Sequence, residues 1–375
     1  MRIGFLGTGW IGRNRMEAML GTGLVNAAAV CDPNPGMARE AIALAPSVHS
    51  ACSLGELLAW KPDGLVIATP SAMHAEQCVA AFNAGVAVFC QKPLGRNAAE
   101  VAAVMESAAR SDRLLGVDLS YRHTAAVQAI RDRIRAGELG KIFAADLTFH
   151  NAYGPQSEWF WNRELAGGGC LIDLGVHLVD LALWLLDFPR VLNAHATLMR
   201  NGCPAARDEV EDYAVGELTL AGDVSVRLAC SWNLNAGEDA AISARFFGTQ
   251  AGVAMNNVGG SFFDFSADLL RGRNREPLAS PPDSWGGRAA IDWLHRLNTG
   301  AAFNESTSGL LETATALDRL YASAGHNTVE KPTDAATRPR DGLIQSQDSP
   351  GTEKIEPRCM EPSSQAKQRA APASD

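Results

Sequence analysis

The 375-residue chain has no uninterrupted apolar run of the roughly eighteen residues that a membrane-spanning helix needs, which argues against a membrane partner. It has no excess of positive charge. Its 33 Lys and Arg stand against 42 Asp and Glu, a net charge of -9, so no basic face for nucleic acid is expected. Its eight cysteines include no C-x-x-C pair, which argues against a zinc cage or a small disulfide scaffold. No repeat of solenoid type is visible. Met1 leads straight into an apolar strand without a signal-peptide core, so a reducing cytoplasm is expected. What is present is 46% hydrophobic residues with 20% charged, enough for a large core and two domains.

Short apolar runs alternate with helical stretches through residues 1–118. The runs are Arg2–Leu6, Ala27–Cys31, 65–69, 86–90 and 114–118, with helices at Trp10–Leu20, 72–83 and 98–109. Continuous apolar runs are strands buried on both faces, and this alternation predicts an α/β domain with a parallel sheet. After Asp118 the pattern changes. A helix over 124–136, a strand over 141–150 and an apolar helix over 170–186 precede strands over 192–199, 213–220, 225–232 and 242–247. That reads as an α+β domain, 119–330, with a mainly antiparallel sheet, closed by helices over 288–297 and 306–323. Residues 331–375 are rich in Pro, Ser, Thr and charge, and read as a disordered tail.

Gly7, Thr8, Gly9, Trp10, Ile11 and Gly12 spell G-x-G-x-x-G between a strand and a helix. In that context the glycines permit a tight turn, close approach of a pyrophosphate and close packing of helix on strand. The helix N-terminus offers unpaired N–H groups to phosphate. Asp32, twenty residues beyond Gly12, ends the second strand, where an acid accepts from a ribose 2′-hydroxyl. It would repel a 2′-phosphate, and no Arg follows in Pro33, Asn34 and Pro35, so NAD is expected over NADP.

Lys92 follows the fourth apolar run and precedes Pro93, at the strand end where open α/β sheets bind ligands. It is placed to stabilise a developing oxyanion, and a solvated loop lysine is the alternative. Asp173, His177 and Asp180 share one face of an otherwise apolar helix. Imidazole there suits proton transfer, and a satisfied core histidine is the alternative. Two of these side chains without a third ligand nearby do not make a metal site.

Taken in order, these residues resemble the Gfo/Idh/MocA family of NAD(P)-dependent oxidoreductases over roughly residues 1–330. The matching pieces are the glycine loop, Asp32, Thr69-Pro70 with His74, Gln91-Lys92-Pro93, Tyr121-Arg122, and Gly168-Gly169 through Asp173 to His177. The resemblance implies a Rossmann domain and a hydride transfer at a secondary alcohol or ketone of a sugar, cyclitol or related polyol. It makes His177 the acid/base, with Lys92 and Asp173 holding the reacting hydroxyl and tuning the histidine, Asp173 by positioning its imidazole. It places Thr69, Pro70, His74, Gln91 and Arg122 beside the nicotinamide half of the cofactor. It also implies a homodimer or homotetramer built on the open face of the second sheet. Gln91 departs from the family's Glu-Lys-Pro and cannot pair electrostatically with Lys92.

Substrate contacts are expected from His150, Tyr153, Trp159, Trp161, Asn162 and Arg163, with Trp232 and Asn233 as weaker candidates. Two other functions fit the same residues. One is cleavage of glycosides with retained NAD, which would release free sugar without net NADH. The other is a non-enzymatic, dinucleotide-dependent regulator, which would have no need of Lys92, Asp173 and His177.

Overall fold

A computed structural model describes residues 1–45, 47–304 and 307–326, which fall in one compact unit. The tail expected over 331–375 lies outside the described residues.

The alternating half runs β1 (Arg2–Leu6), α1 (Trp10–Leu20), β2 (Ala27–Cys31), α2 (Pro35–Ile42), β3 (His49–Ser50), α3 (Leu54–Ala59), β4 (Gly64–Ile67), α4 (Ser71–Asn83), β5 (Ala87–Cys90), α5 (Ala98–Ser111) and β6 (Leu115–Val117). All six strands are parallel, in the order β3-β2-β1-β4-β5-β6. The chain order reverses between β1 and β4, the crevice where such sheets bind ligands. Register makes that edge even. Leu6 lies beside Cys31 and Ile67, Ile67 beside Cys90, and Cys90 beside Val117. The residues that follow, Gly7, Asp32, Ala68, Gln91 and Asp118, therefore line one rim. Elements α2, β3 and α3 were not expected from sequence. β3 is two exposed residues, too short and too polar to register as an apolar run.

The second half runs α6 (Ala125–Arg135), β7 (Ile142–Asn151), α7 (Arg163–Ala166), a π-helical turn (Leu171–Gly175), α8 (Val176–Leu185), β8 (Val191–Arg200), β9 (Cys203–Pro204), β10 (Tyr213–Leu220), β11 (Val224–Ser231), β12 (Ala240–Gly248), β13 (Gly252–Asn257), β14 (Phe265–Arg271), β15 (Asn274–Ala279), α9 (Arg288–Asn298) and α10 (Ser308–Ser323). Nine strands form one sheet, β15-β14-β13-β12-β7-β11-β10-β8-β9. It is antiparallel apart from the β7–β11 pair, as its alternating pattern predicts. Ala145, Leu147 and Phe149 face the core, while Asp146, Thr148 and His150 face outward. The last three strands were not read from sequence. In β14 the signal is a weak alternation, Phe265, Ala267 and Leu269 buried between Ser266, Asp268 and Leu270.

Helix α9 returns to the first sheet. Its Trp293, 2% exposed, lies against Phe89 in a cluster with Ile3, Phe5 and Val66. A Cβ at Gly64 or Gly116 would stand 2.5 Å from that indole, so these two strand glycines make its groove. Helix α10 spans both cores, with Ala314 in one and Leu317, Leu320 and Tyr321 in the other. The stretch Arg163–Leu185 is long and apolar enough to pass for a membrane span by composition, but 89% of its apolar window is buried inside this fold.

Candidate active site

The phosphate loop has three glycines with three different duties. Gly7 takes φ +83°, and a Cβ there would stand 2.5 Å from the Ala68 carbonyl oxygen. A Cβ at Gly12 would be driven into the Gly7 carbonyl. Among the described residues, no obstacle at Gly9 stands nearer than Met37 Sδ at 3.9 Å. Nothing in the fold demands glycine at position 9, so the open space above it fits a pyrophosphate brought close to backbone N–H groups. Trp10, 63% exposed, and Ile11 extend this loop into the cleft. Asp32 faces the loop: Oδ2 accepts from Thr8 N at 2.6 Å and Thr8 Oγ1 at 3.2 Å, and Oδ1 from Asn34 N at 2.8 Å. The carboxylate remains half-exposed and has further lone pairs for a ribose hydroxyl.

The opposite wall is built on His74. Its Nε2 lies 2.7 Å from Thr69 O and its Nδ1 2.7 Å from Pro93 O. The buried ring therefore latches the Thr69-Pro70 turn to the Lys92-Pro93 turn, whose peptide bond is cis. Burial pushes the imidazole below its ordinary value, against the two carbonyls that would raise it. Gly9, Trp10, Thr69, Pro70, His74 and Trp159 are among the walls of one cleft.

Lys92 closes the end of that cleft. Its Nζ donates to Asp173 Oδ1 at 2.6 Å and to the Asp173 carbonyl at 2.8 Å. Trp232 Nε1 donates to the other carboxylate oxygen at 3.2 Å. Asp173 sits on the π-helical turn, a distortion often found at functional sites. The expected tie from Asp173 to the His177 imidazole is not made. Both carboxylate oxygens are taken by Lys92 and Trp232.

His177, on α8, faces a second cavity that shares Trp10, Ile11, Gln91 and Lys92 with the first. Its ring packs edge-on against Tyr121 at 4.8 Å and near Phe149 at 6.2 Å. Burial, and then the Lys92 charge, push its pKa well below the usual histidine range. Tyr153 stands at the mouth of this cavity against Phe262.

Several expected contacts are engaged elsewhere. Arg122 donates from Nε to Asp180 Oδ2 at 2.7 Å and from Nη2 to Oδ1, facing a depression with Phe188 and Trp293 outside both clefts. His150 lies 2.7 Å from Ser231 Oγ and stacks on Tyr213. Trp161 packs on Trp232 and donates to Pro155 O, so it supports the site from behind. Asn162 caps α7, and Arg163 reaches Glu209 O and His326. Asn233 is exposed, with φ +57°.

Sequence reasoning missed Arg15 and Asp118, both buried and both lining the His177 cavity. One signal was available. Arg15 stands on the buried stripe of α1 with Gly12, Met16 and Met19, where an unpaired charge is not tolerated.

Residues 1–119 match the model of the oxidoreductase family with an NAD-binding Rossmann fold, and residues 127–254 that of the GFO/IDH/MocA C-terminal domain. The chain is 30% identical over 211 residues to D-glucoside 3-dehydrogenase of Escherichia coli (strain K12), a match that covers 53% of this chain but only 60% of that protein. It is 31% identical over 259 residues to a putative UDP-kanosamine synthase oxidoreductase subunit of Amycolatopsis mediterranei (strain S699), covering 64% of this chain and 71% of that one. Its fold superposes on that of a levoglucosan dehydrogenase solved with NADH and levoglucosan, with TM-score 0.73 at 20% identity, over 87% of this chain and 97% of that one. This chain belongs to the Gfo/Idh/MocA family of NAD-binding oxidoreductases.

Proposed function

We propose that this protein is a dehydrogenase or reductase for a secondary alcohol or ketone of a sugar, cyclitol or related polyol. The observation that carries the reading is the place of Lys92, where the glycine-loop cleft meets the His177 cavity, with its ammonium held by Asp173. NAD, when bound, supplies the hydride acceptor or donor. The chain's own groups do the rest. His177, kept neutral by burial, takes the hydroxyl proton in oxidation. Lys92 offers its remaining N–H to the oxygen that gains negative charge. Asp173 holds Lys92 in place. The names of the relatives, a glucoside dehydrogenase among them, support a carbohydrate substrate.

The test is a panel of polyols, glycosides and keto-sugars with NAD and with NADP, followed by absorbance of the reduced cofactor. Turnover that collapses in Lys92→Ala and His177→Ala is the expected result. Tight NAD binding with no redox change across the panel would favour the regulatory reading, and free sugar released without net NADH the glycoside-cleaving one.

We also propose a homodimer through the open face of the large sheet. There His195, Glu217, Arg227, Asp146 and Arg245 stand side by side on five neighbouring strands, nearly all charged and alternating in sign. Sedimentation at low and high salt tests this, and a monomer at both would refute it.

A further inference from the structure

The side chain beside Lys92 is already committed. Gln91 donates its amide to Asp118 Oδ2. Asp118, 1% exposed just beyond β6, also accepts from Arg15 Nε at 2.6 Å and from Ser120 Oγ at 2.5 Å. Arg15 comes from α1, the helix of the phosphate loop, and its other nitrogens reach Asn14 Oδ1 and Ser120 Oγ. One buried carboxylate therefore ties together the phosphate-loop helix, the strand end that carries Lys92, and the end of the next strand.

The charges in this knot balance: one guanidinium, one carboxylate and one neutral amide. A buried pair persists only when its charges cancel and its hydrogen bonds are made. A glutamate at 91 would set two carboxylates in contact before a single guanidinium. An asparagine at 118 would leave Arg15 buried without its counter-charge.

We infer that Arg15, Asp118 and Gln91 are a positioning unit that fixes the phosphate loop relative to Lys92, and that the unit holds a single carboxylate shared between positions 91 and 118. The role given to Lys92 rests on the oxidoreductase reading above, but the test, by NAD binding and melting, does not depend on turnover.

The test is a cycle of four proteins: wild type, Gln91→Glu, Asp118→Asn and the exchanged double variant. NAD affinity is read by calorimetry and the melting midpoint by scanning. Each single variant should bind NAD about tenfold more weakly and melt earlier, and the double variant should recover to within about threefold of wild type. If a single variant does not fold, recovery in the double variant carries the same information. Gln91→Glu that binds and melts as wild type would overturn the inference, and so would a double variant no better than the worse single. A cycle that behaves as expected in a protein without redox turnover would uphold the unit and remove only the dehydrogenase reading.

Discussion

Lys92 Nζ grips Asp173 at two points, the carboxylate at 2.6 Å and the backbone carbonyl at 2.8 Å. An ammonium has three donors, so one remains for a substrate oxygen. The direction of that donor depends on Asp173, which Trp232 holds from the other side. Lys92→Met should lower kcat by about a thousandfold while leaving NAD affinity nearly unchanged. Trp232→Phe keeps an aromatic ring but deletes the bond to Asp173, and should cost about tenfold in kcat with little change in KM. Steady-state kinetics on both variants decide this, and full turnover by Trp232→Phe would show that the indole bond does not position the site.

The acid limb of the pH profile follows from His177. In the proposed mechanism oxidation needs the neutral imidazole, and both burial and Lys92 disfavour its protonated form. Protonation, and with it the loss of kcat/KM for oxidation, should therefore be confined to pH values well below about 6.5. The reduction direction needs the protonated ring, so its kcat/KM should rise as pH falls toward that range. An acid limb for oxidation at or above about 6.5 would contradict the assignment. Removing the Lys92 charge should move the His177 titration upward, which NMR of the ring in Lys92→Met would register.

Most of the candidate site was legible because its residues follow strand ends, and strand ends are visible in sequence. Gly7, Asp32, Gln91 and Lys92 all stand one or two positions past an apolar run, and parallel register then aligns them. What was not legible depends on long-range partners. Arg122 reads as a cleft residue until Asp180, 58 positions later, takes its guanidinium. Trp161, Asn162 and Arg163 sit in a loop whose sequence suits sugar contacts, but capping and packing against Trp232 and His326 use them. Asp173 and His177 are four apart, yet the π-helical turn and the pull of Lys92 and Trp232 direct Asp173 away from the imidazole.

The glycine loop offers a separation of binding from folding. Gly9→Ala adds a methyl group into space the protein leaves open, so it should melt within a degree or two of wild type. It should nevertheless weaken NAD binding by about tenfold or more, because the methyl fills the approach to the backbone N–H groups. Gly12→Ala collides with the Gly7 carbonyl and should lose both stability and binding. Calorimetric titration and thermal melts on the two variants check the contrast. Unchanged NAD affinity in Gly9→Ala would mean that the pyrophosphate does not pass over this loop.

Trp293 makes the first sheet depend on chain that lies beyond the second. Its ring fills the groove left by Gly64 and Gly116, on strands β4 and β6 that flank the Lys92 strand. Trp293→Ala empties that groove and should cost about 3–5 kcal/mol. Gly116→Ala overfills it and should cost about 1–3 kcal/mol, since the new Cβ would stand 2.5 Å from the indole. The two effects share one volume, so they should not add. Gly116→Ala should be nearly neutral in a Trp293→Leu background, where the smaller side chain leaves space for the new methyl group. Denaturant melts of wild type, Gly116→Ala, Trp293→Leu and the double variant measure the coupling, and strict additivity would show that the indole does not occupy the glycine groove in solution.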